Sequence, residues 1–389
     1  MNAAASGHGP RIYLVAGEES GDRLGAALIH ALRAARSDIQ FSAVGGGHMA
    51  AEGVPSLFPL GELAIVGFAA IIRDLPAILK RINETADAVV AAKPDLLIII
   101  DSPEFTHRVA RKVRAKAPQI PIVDYVCPSV WAWRSGRARA MRGYVDRVLA
   151  LLPFEPEAMV RLGGPPTDFV GHPLSEQVGQ LRPEGGPASR LEGPPLVLAM
   201  PGSRSGEIRR MADVFGAALG QLAVQSGPFE VVVPTVERLE ATVREAVARW
   251  PVPARLVTRP EEKYASFRLA RAALAKSGTS TLELALAGVP MVTGYKVAGL
   301  EAVVARLLIK VPSVILANLV LGRNVVPEFL QEDCTAENLS AALAPLLSDT
   351  PQRRTQVEAF GQLDGIMKIG QGSPSERAAA VVLATIPGI

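Results

Sequence analysis

Short, nearly unbroken apolar runs recur along the chain. Each is followed by a turn rich in glycine or hydroxyl residues, then by apolar positions at helical spacing. In the first half these runs are Ile12–Ala16, Phe41–Val44, Asp95–Ile100, Ile120–Val126 and Val145–Leu152. In the second half they are Leu196–Met200, Phe229–Pro234, Arg255–Val257, Ala272–Ala275 and Pro290–Thr293. Runs of this kind without polar alternation read as strands buried on both faces, the pattern of a parallel sheet. Helical patterns such as Leu24–Ala35 lie between them, and Thr335–Leu347, Arg353–Lys368 and Glu376–Ala384 end the chain. Repeated strand–helix units in both halves predict an α/β chain with two Rossmann-like, doubly wound parallel sheets facing across a cleft. Ser175–Pro195, rich in Gly, Pro and charge, reads as the linker. The expected domains are an N-terminal one over residues 1–175, a C-terminal one over 176–350, and helices over 351–389 that pack back on the first.

Two turns in the second half carry candidate chemistry. Leu196–Met200 breaks at Pro201-Gly202-Ser203-Arg204 and resumes as a helix near Gly206. A glycine turn between strand and helix aims free N–H groups and the positive helix end at one point, a natural anion site. Arg204 adds a forked cation suited to phosphate. The stretch Ala273–Gly288 repeats the design with Ser277-Gly278-Thr279, whose hydroxyls either cap the helix or face an anion. Glu283, one turn further, either takes ribose hydroxyls or serves the helix end. Together the two turns suggest a nucleotide diphosphate.

The first half has its own turn, Gly17-Glu18-Glu19-Ser20-Gly21-Asp22, after its first strand, and a Gly45-Gly46-Gly47 turn after its second. No Gly-x-Gly-x-x-Gly follows the first strand, which disfavours a dinucleotide oxidoreductase. Asp101 closes the apolar run Asp95–Ile100, placing a carboxylate at the end of a parallel strand, where open α/β sheets bind ligands. Its other reading is a cap for the helix near Glu104; the neighbouring motifs favour catalysis. Trp131 and Trp133 beside Arg134 form either a packing corner or a surface on which a sugar stacks.

Composition alters this picture in one place. The chain of 389 residues is 49% hydrophobic, 20% charged and carries a net charge of +3. Yet Phe105–Val145 holds nine Lys/Arg against the single acid Asp124. Such a concentration favours an anionic surface or substrate. Few aromatics interleave with it, which argues against nucleic acid. Glu62–Ile82 is too continuously apolar for a narrow helix stripe, and reads either as a core helix or as an interfacial, acyl-chain-binding element. Two cysteines, no secretory signal and no run of about 18 apolar residues point to a protein in the cytoplasm, or on a membrane from its cytoplasmic side.

Taken together, VAGEESGD, DSPEF, YVCPSVWAWR, LPFE, FVGHPL, MPGSRSGEI, KSGTSTLELAL, PMVTGYK and NLVLGRNVVPEFLQE resemble the lipid-A-disaccharide synthases, from about Ile12 to Gln331. The resemblance implies a GT-B glycosyltransferase that joins UDP-2,3-diacylglucosamine to 2,3-diacylglucosamine 1-phosphate with inversion and releases UDP. It implies work at the inner face of a Gram-negative cytoplasmic membrane, with an anionic membrane surface as partner. By motif, Gly202, Ser203, Arg204 and Glu207 with Ser277, Gly278, Thr279 and Glu283 hold UDP. Asn318, Glu328 and Gln331 lie near nucleotide and sugar; Glu18, Ser20, Gly21, Asp22, Trp133 and Arg134 face the sugars; and Asp101 is the general base. No metal ligand or other cofactor is expected, since no Asp-x-Asp pair is present, in keeping with GT-B metal independence. A homodimer is compatible with this reading. The family pattern is broken at His48, where arginine is frequent, and at Glu104, where aspartate is usual. The alternatives are another UDP-sugar enzyme of the same fold, such as a UDP-N-acetylglucosamine 2-epimerase, and a non-catalytic membrane-associated nucleotide-binding protein.

Overall fold

A computed structural model describes residues 9–63, 68–297, 311 and 313–388, with side chains in the helix over 68–92 described only from Pro76 on. Two compact units result: Met1–Pro173 with Ile369–Ile389, and Leu174–Lys368.

The first unit is a six-stranded, all-parallel sheet in the order β2-β1-β3-β4-β5-β6. Its strands are β1 (Arg11–Ala16), β2 (Gln40–Val44), β3 (Leu96–Ile100), β4 (Ile122–Tyr125), β5 (Arg147–Ala150) and β6 (Thr167–Phe169). Its helices are α1 (Glu19–Ala35), α2 (Gly47–Ala51), α3 (Phe68–Ala92), α4 (Pro103–Lys116), α5 (Gly136–Met141) and α6 (Glu155–Arg161). The apolar runs were continuous because both sheet faces are covered. Leu97 and Ile99 enter a core with α3 and α4, while Leu96, Ile98 and Ile100 enter the opposite core with α1.

The second unit is a parallel sheet of six strands in the order β12-β11-β10-β7-β8-β9. These are β7 (Leu196–Met200), β8 (Glu230–Pro234), β9 (Ala254–Val257), β10 (Ala272–Lys276), β11 (Met291–Tyr295) and β12 (Glu328–Leu330). Around them lie α7 (Leu174–Leu181), α8 (Ser205–Ser226), α9 (Glu240–Val247), α10 (Pro260–Leu269), α11 (Thr279–Leu286), α12 (Leu316–Leu321), α13 (Ala336–Leu343) and α14 (Pro351–Ile366). The final helix, α15 (Pro374–Thr385), belongs to the first unit, where Ala378 and Val382 join the core of α1.

The stretch read as a linker, Ser175–Pro195, is instead ordered into α7 and a short 3₁₀ turn. Arg190 explains why: its buried guanidinium donates to the carbonyls of Phe267, Arg268, Ala287 and Gly288, tying the stretch to the second unit. The apolar stretch Glu62–Ile82 falls largely outside the described side chains; beyond them Pro76, Leu79 and Lys80 are exposed and Ile82 is buried. Among the described residues no helix is long and apolar enough to cross a membrane.

Candidate active site

In the first sheet the chain winds outward from the neighbours β1 and β3, to β2 on one side and to β4 on the other. Such a switch point opens a crevice at the carboxyl ends of the strands. Ala16 pairs with Ile100, so the turns after β1 and β3 leave the sheet side by side. Ser20, exposed in the first turn of α1, donates its hydroxyl to Asp101 Oδ2 at 2.9 Å. Asp101 Oδ1 accepts from the Ser102 N–H at 2.8 Å. A Cβ on Gly21 would lie 3.0 Å from the Ile100 carbonyl oxygen, so glycine lets α1 come this close.

Asp101 and Ser102 both sit in the left-handed region, at φ 54° and 46°. For residues with a Cβ this costs about 1–2 kcal/mol each. The surroundings hold them there: the Asp101 N–H donates to the Tyr125 carbonyl, and its carbonyl accepts the Thr106 hydroxyl at 2.6 Å. The N-cap position of α4 belongs to Ser102, so the Asp101 carboxylate does not cap the helix. A half-buried carboxylate, fixed at its backbone and held by one hydroxyl, is suited to take a proton.

Asp22 has a different task from the sugar contact expected of it. It is 2% exposed, and its carboxylate accepts from the N–H groups of Gly46, His48 and Met49. It fixes the glycine turn and the start of α2, leaving His48 exposed beside it. Glu18 is exposed at the N-cap position of α1.

The two tryptophans divide. Trp131 is half-buried and donates its Nε1–H to Glu155 at 3.1 Å. Trp133 is 39% exposed, with the guanidiniums of Arg134 and Arg137 over its ring at 4.4 and 5.8 Å. Glu104, on the first turn of α4, binds Arg137 at 2.9 Å and lies within 3.8 Å of Arg108 and Arg134. Burial would raise its carboxyl, but these arginines hold it below the usual range.

Beneath Asp101 lie acids that sequence reasoning missed. Asp124, buried on β4, has His107 Nε2 at 3.1 Å from Oδ2 without a well-directed hydrogen bond. Burial pushes its carboxyl up; His107 opposes this and Asp101 adds to it. His107 Nδ1 is 3.0 Å from the Tyr144 hydroxyl, which accepts from Arg111 at 3.2 Å. Glu155 is 3% exposed and pushed up to about 7 by burial, although the Leu152 N–H and Trp131 donate to it.

The second sheet has its own switch point, between β7 and β10, and the two predicted turns sit there. Gly202 has φ 146°, and a Cβ on it would strike Glu207 Cβ at 2.6 Å. Glu207 is 4% exposed rather than open to a ligand. Its carboxylate accepts from the Ser203 N–H and from Lys276 Nζ, both at 3.0 Å. Burial alone would raise this carboxyl, but Lys276 and the Ser203 N–H bring it below the usual range. Glu207 therefore shapes the turn. Lys276, whose Nζ also lies 4.7 Å from the Tyr295 ring centre, is a residue the sequence reading passed over. Ser203 and Arg204 are exposed, with Arg204 only 3.6 Å-distant from Glu207.

At the other turn, Gly278 precedes α11, Thr279 is exposed, and Ser277 Oγ is buried without a hydrogen bond. Glu283 is 8% exposed, and one oxygen accepts from Lys263 of α10 at 2.6 Å. Asn318 is not placed to touch a ligand: it is 2% exposed, and its Oδ1 accepts from the Val325 and Val326 N–H groups at 2.9 Å. Its Nδ2 donates to the Val326 carbonyl at 3.0 Å, so all its polar atoms hold the loop before β12. Glu328 accepts from the Ser313 hydroxyl and the Val314 N–H, and burial raises its carboxyl. Gln331, at φ 51°, accepts from the Val297 N–H at 3.4 Å.

The family model described as lipid-A-disaccharide synthetase matches residues 12–382. A lipid-A-disaccharide synthase of Bradyrhizobium diazoefficiens is 59% identical over 97% of this chain and 96% of its own. One of Nitrobacter hamburgensis is 58% identical over 99% and 98%. Among solved structures, Staphylococcus aureus MnaA with UDP covers 98% of each chain at a TM-score of 0.64 and 13% identity. The UDP-GlcNAc 2-epimerase of Neisseria meningitidis bound to UDP-GlcNAc gives 0.60 at 13% identity, covering 96% of this chain and 99% of its own. At such identities these two share the fold alone.

Proposed function

Because the chain belongs to the lipid-A-disaccharide synthetase family, we propose that it transfers the sugar of UDP-2,3-diacylglucosamine to the 6-hydroxyl of 2,3-diacylglucosamine 1-phosphate. The observation that carries the reading on this chain is Asp101: a strained, fixed carboxylate at the switch point of the first sheet, bonded to Ser20. Asp101 takes the proton of the acceptor hydroxyl as its oxygen attacks the anomeric carbon. The bond from that carbon to the UDP oxygen breaks on the opposite face, which inverts the centre. The departing diphosphate gains negative charge, and the N-terminal ends of α8 and α11 with Arg204 are the groups suited to meet it. The Ser277 hydroxyl and Thr279 supply further donors there, and Glu283 keeps one carboxylate oxygen for the ribose.

Trp133 with Arg134, and the exposed turn at Glu18, supply the surface for the acceptor sugar. The basic stretch after Phe105 and the exposed Leu79 and Lys80 support work as a peripheral protein on an anionic cytoplasmic membrane face. The test is UDP release from UDP-2,3-diacylglucosamine in detergent, with and without 2,3-diacylglucosamine 1-phosphate. Release that requires the acceptor supports the reading. Conversion of a UDP-sugar without acceptor, or no turnover by folded protein, refutes it.

A further inference from the structure

Between α4 and α5 the first unit holds a cavity of about 160 Å³. Glu104, His107, Arg108, Arg111, Arg137 and Tyr144 converge on it. Glu104, His107, Arg108 and Arg111 lie on one face of α4 by their three- and four-residue spacing. That face begins one turn after Asp101.

Charge at this cavity is unbalanced. Glu104 is shared among Arg108, Arg134 and Arg137, so one carboxylate serves three guanidiniums. Arg111 has no carboxylate partner among the described residues; it stacks on the Tyr144 ring at 4.7 Å and donates to its hydroxyl. His107 turns Nε2 toward Asp124 and Nδ1 toward Tyr144. With the Nε2 proton toward Asp124, Nδ1 accepts the Tyr144 hydroxyl proton, and the Tyr144 oxygen accepts from Arg111. The chain of donors locks Tyr144 and Arg111 in place without neutralising Arg111.

We propose that this cavity is the subsite for a phosphate monoester, the 1-phosphate of the acceptor sugar. Three guanidiniums around a space for a few waters suit one compact, doubly charged oxyanion rather than a sugar ring or a nucleotide. At about 1.5 Å per residue, the lining positions from Glu104 to Arg111 lie about 5 to 15 Å along the α4 direction from Asp101. Long arginine side chains reaching back from that span meet the anomeric phosphate of one hexose whose 6-hydroxyl is at the base. The assignment rests on the acceptor named under the proposed function, and it adds how that acceptor is told from an uncharged one.

The test compares kcat/KM for 2,3-diacylglucosamine 1-phosphate and for 2,3-diacylglucosamine with a free anomeric hydroxyl, in wild type, Arg108→Gln, Arg111→Gln and Tyr144→Phe. Wild type prefers the phosphorylated acceptor. In the two arginine variants that preference falls by about 10- to 100-fold, the span of one charge-assisted hydrogen bond, through KM for the phosphorylated acceptor. Arg108, half-buried at the helix surface, is the variant that keeps the fold; Tyr144→Phe keeps the ring under Arg111 and lowers the preference less. A preference equal to wild type in Arg108→Gln and Arg111→Gln overturns the assignment. So does loss of binding to phosphatidylglycerol vesicles with the preference intact, which makes the cavity a site for bilayer phosphate. Wild type that uses neither acceptor refutes the transfer reaction itself, a result distinct from both.

Discussion

The hydroxyl of Ser20 and the carboxylate of Asp101, 81 residues apart in sequence, meet at 2.9 Å across the switch point of the first sheet. In the second sheet Lys276 and Glu207 meet at 3.0 Å across the equivalent point between β10 and the helix after β7. The first pair joins an exposed donor to a half-buried acid and leaves the acid able to react. The second buries its acid and only shapes a turn. The proposed function assigns the first pair to the base and the second to the turn that meets phosphate.

Ser20→Ala removes the side-chain donor to Asp101 seen among the described residues, while leaving an exposed helix position. A hydrogen bond to a charged group is worth about 1.5–3 kcal/mol. We expect kcat of transfer to fall about 10-fold or more, with the melting temperature lowered by no more than a few degrees. A variant with wild-type kcat would show that Ser20 does not position the base.

Lys276→Met leaves the buried Glu207 carboxylate without its hydrogen-bonded Lys276 partner, with the exposed Arg204 3.6 Å away. Breaking a buried pair on one side costs about 3–5 kcal/mol, and the distorted turn after β7 should weaken UDP binding in parallel. The folded-state pKa of Glu207 is depressed, so the pair's contribution is present above the unfolded pKa and is lost as pH falls through the folded one. The stability gap between wild type and Lys276→Met should therefore be full at neutral pH and shrink on acidification. A gap independent of pH would contradict the ion pair.

Glu155 behaves in the opposite sense. Its folded pKa is raised from 4.5 to about 7, so the protonated native form is favoured at low pH. That contribution is complete below about pH 4.5 and is lost as pH rises to about 7, by about 3 kcal/mol. Glu155→Gln, which stays neutral, should lack this decline, and denaturant melts of both proteins at pH 5 and pH 8 check it. Parallel pH dependence in the two would show that Glu155 is charged in the native state.

Asp22→Ala strips three backbone N–H groups of their acceptor in a buried turn. The loss should be on the order of 3 kcal/mol, read as a lower melting temperature, with activity per folded molecule little changed. A large fall in activity without loss of stability would return Asp22 to the sugar site.

Much of the fold was legible because strands buried on both faces leave continuous apolar runs. The exceptions, β6 and β12, are only three residues long and half-buried, so Thr167–Phe169 and Glu328–Leu330 carry no such run. The position of Asp101 at the carboxyl end of the fully buried β3 was legible. The work of Asp22, Glu207 and Asn318 was not, because each is defined by partners that folding brings to it. Asp22 finds N–H groups 24 to 27 residues away, and Glu207 finds Lys276 at 69. The same motifs that suggest a ligand contact also describe a buried acid holding a turn, and only burial separates them. Arg190 shows the converse: a Gly- and Pro-rich stretch looked like a linker until its arginine was seen capping four carbonyls.

The most direct test of the account replaces the Asp101 carboxylate by an amide of the same shape. Asp101→Asn, assayed for acceptor-dependent UDP release beside a measurement of UDP affinity, should lose at least ~10²-fold in kcat, as removal of a general base does. Its affinity for UDP should stay at the wild-type value. Transfer at the wild-type rate by a folded Asp101→Asn protein would contradict the central claim, and the base would then have to be sought elsewhere.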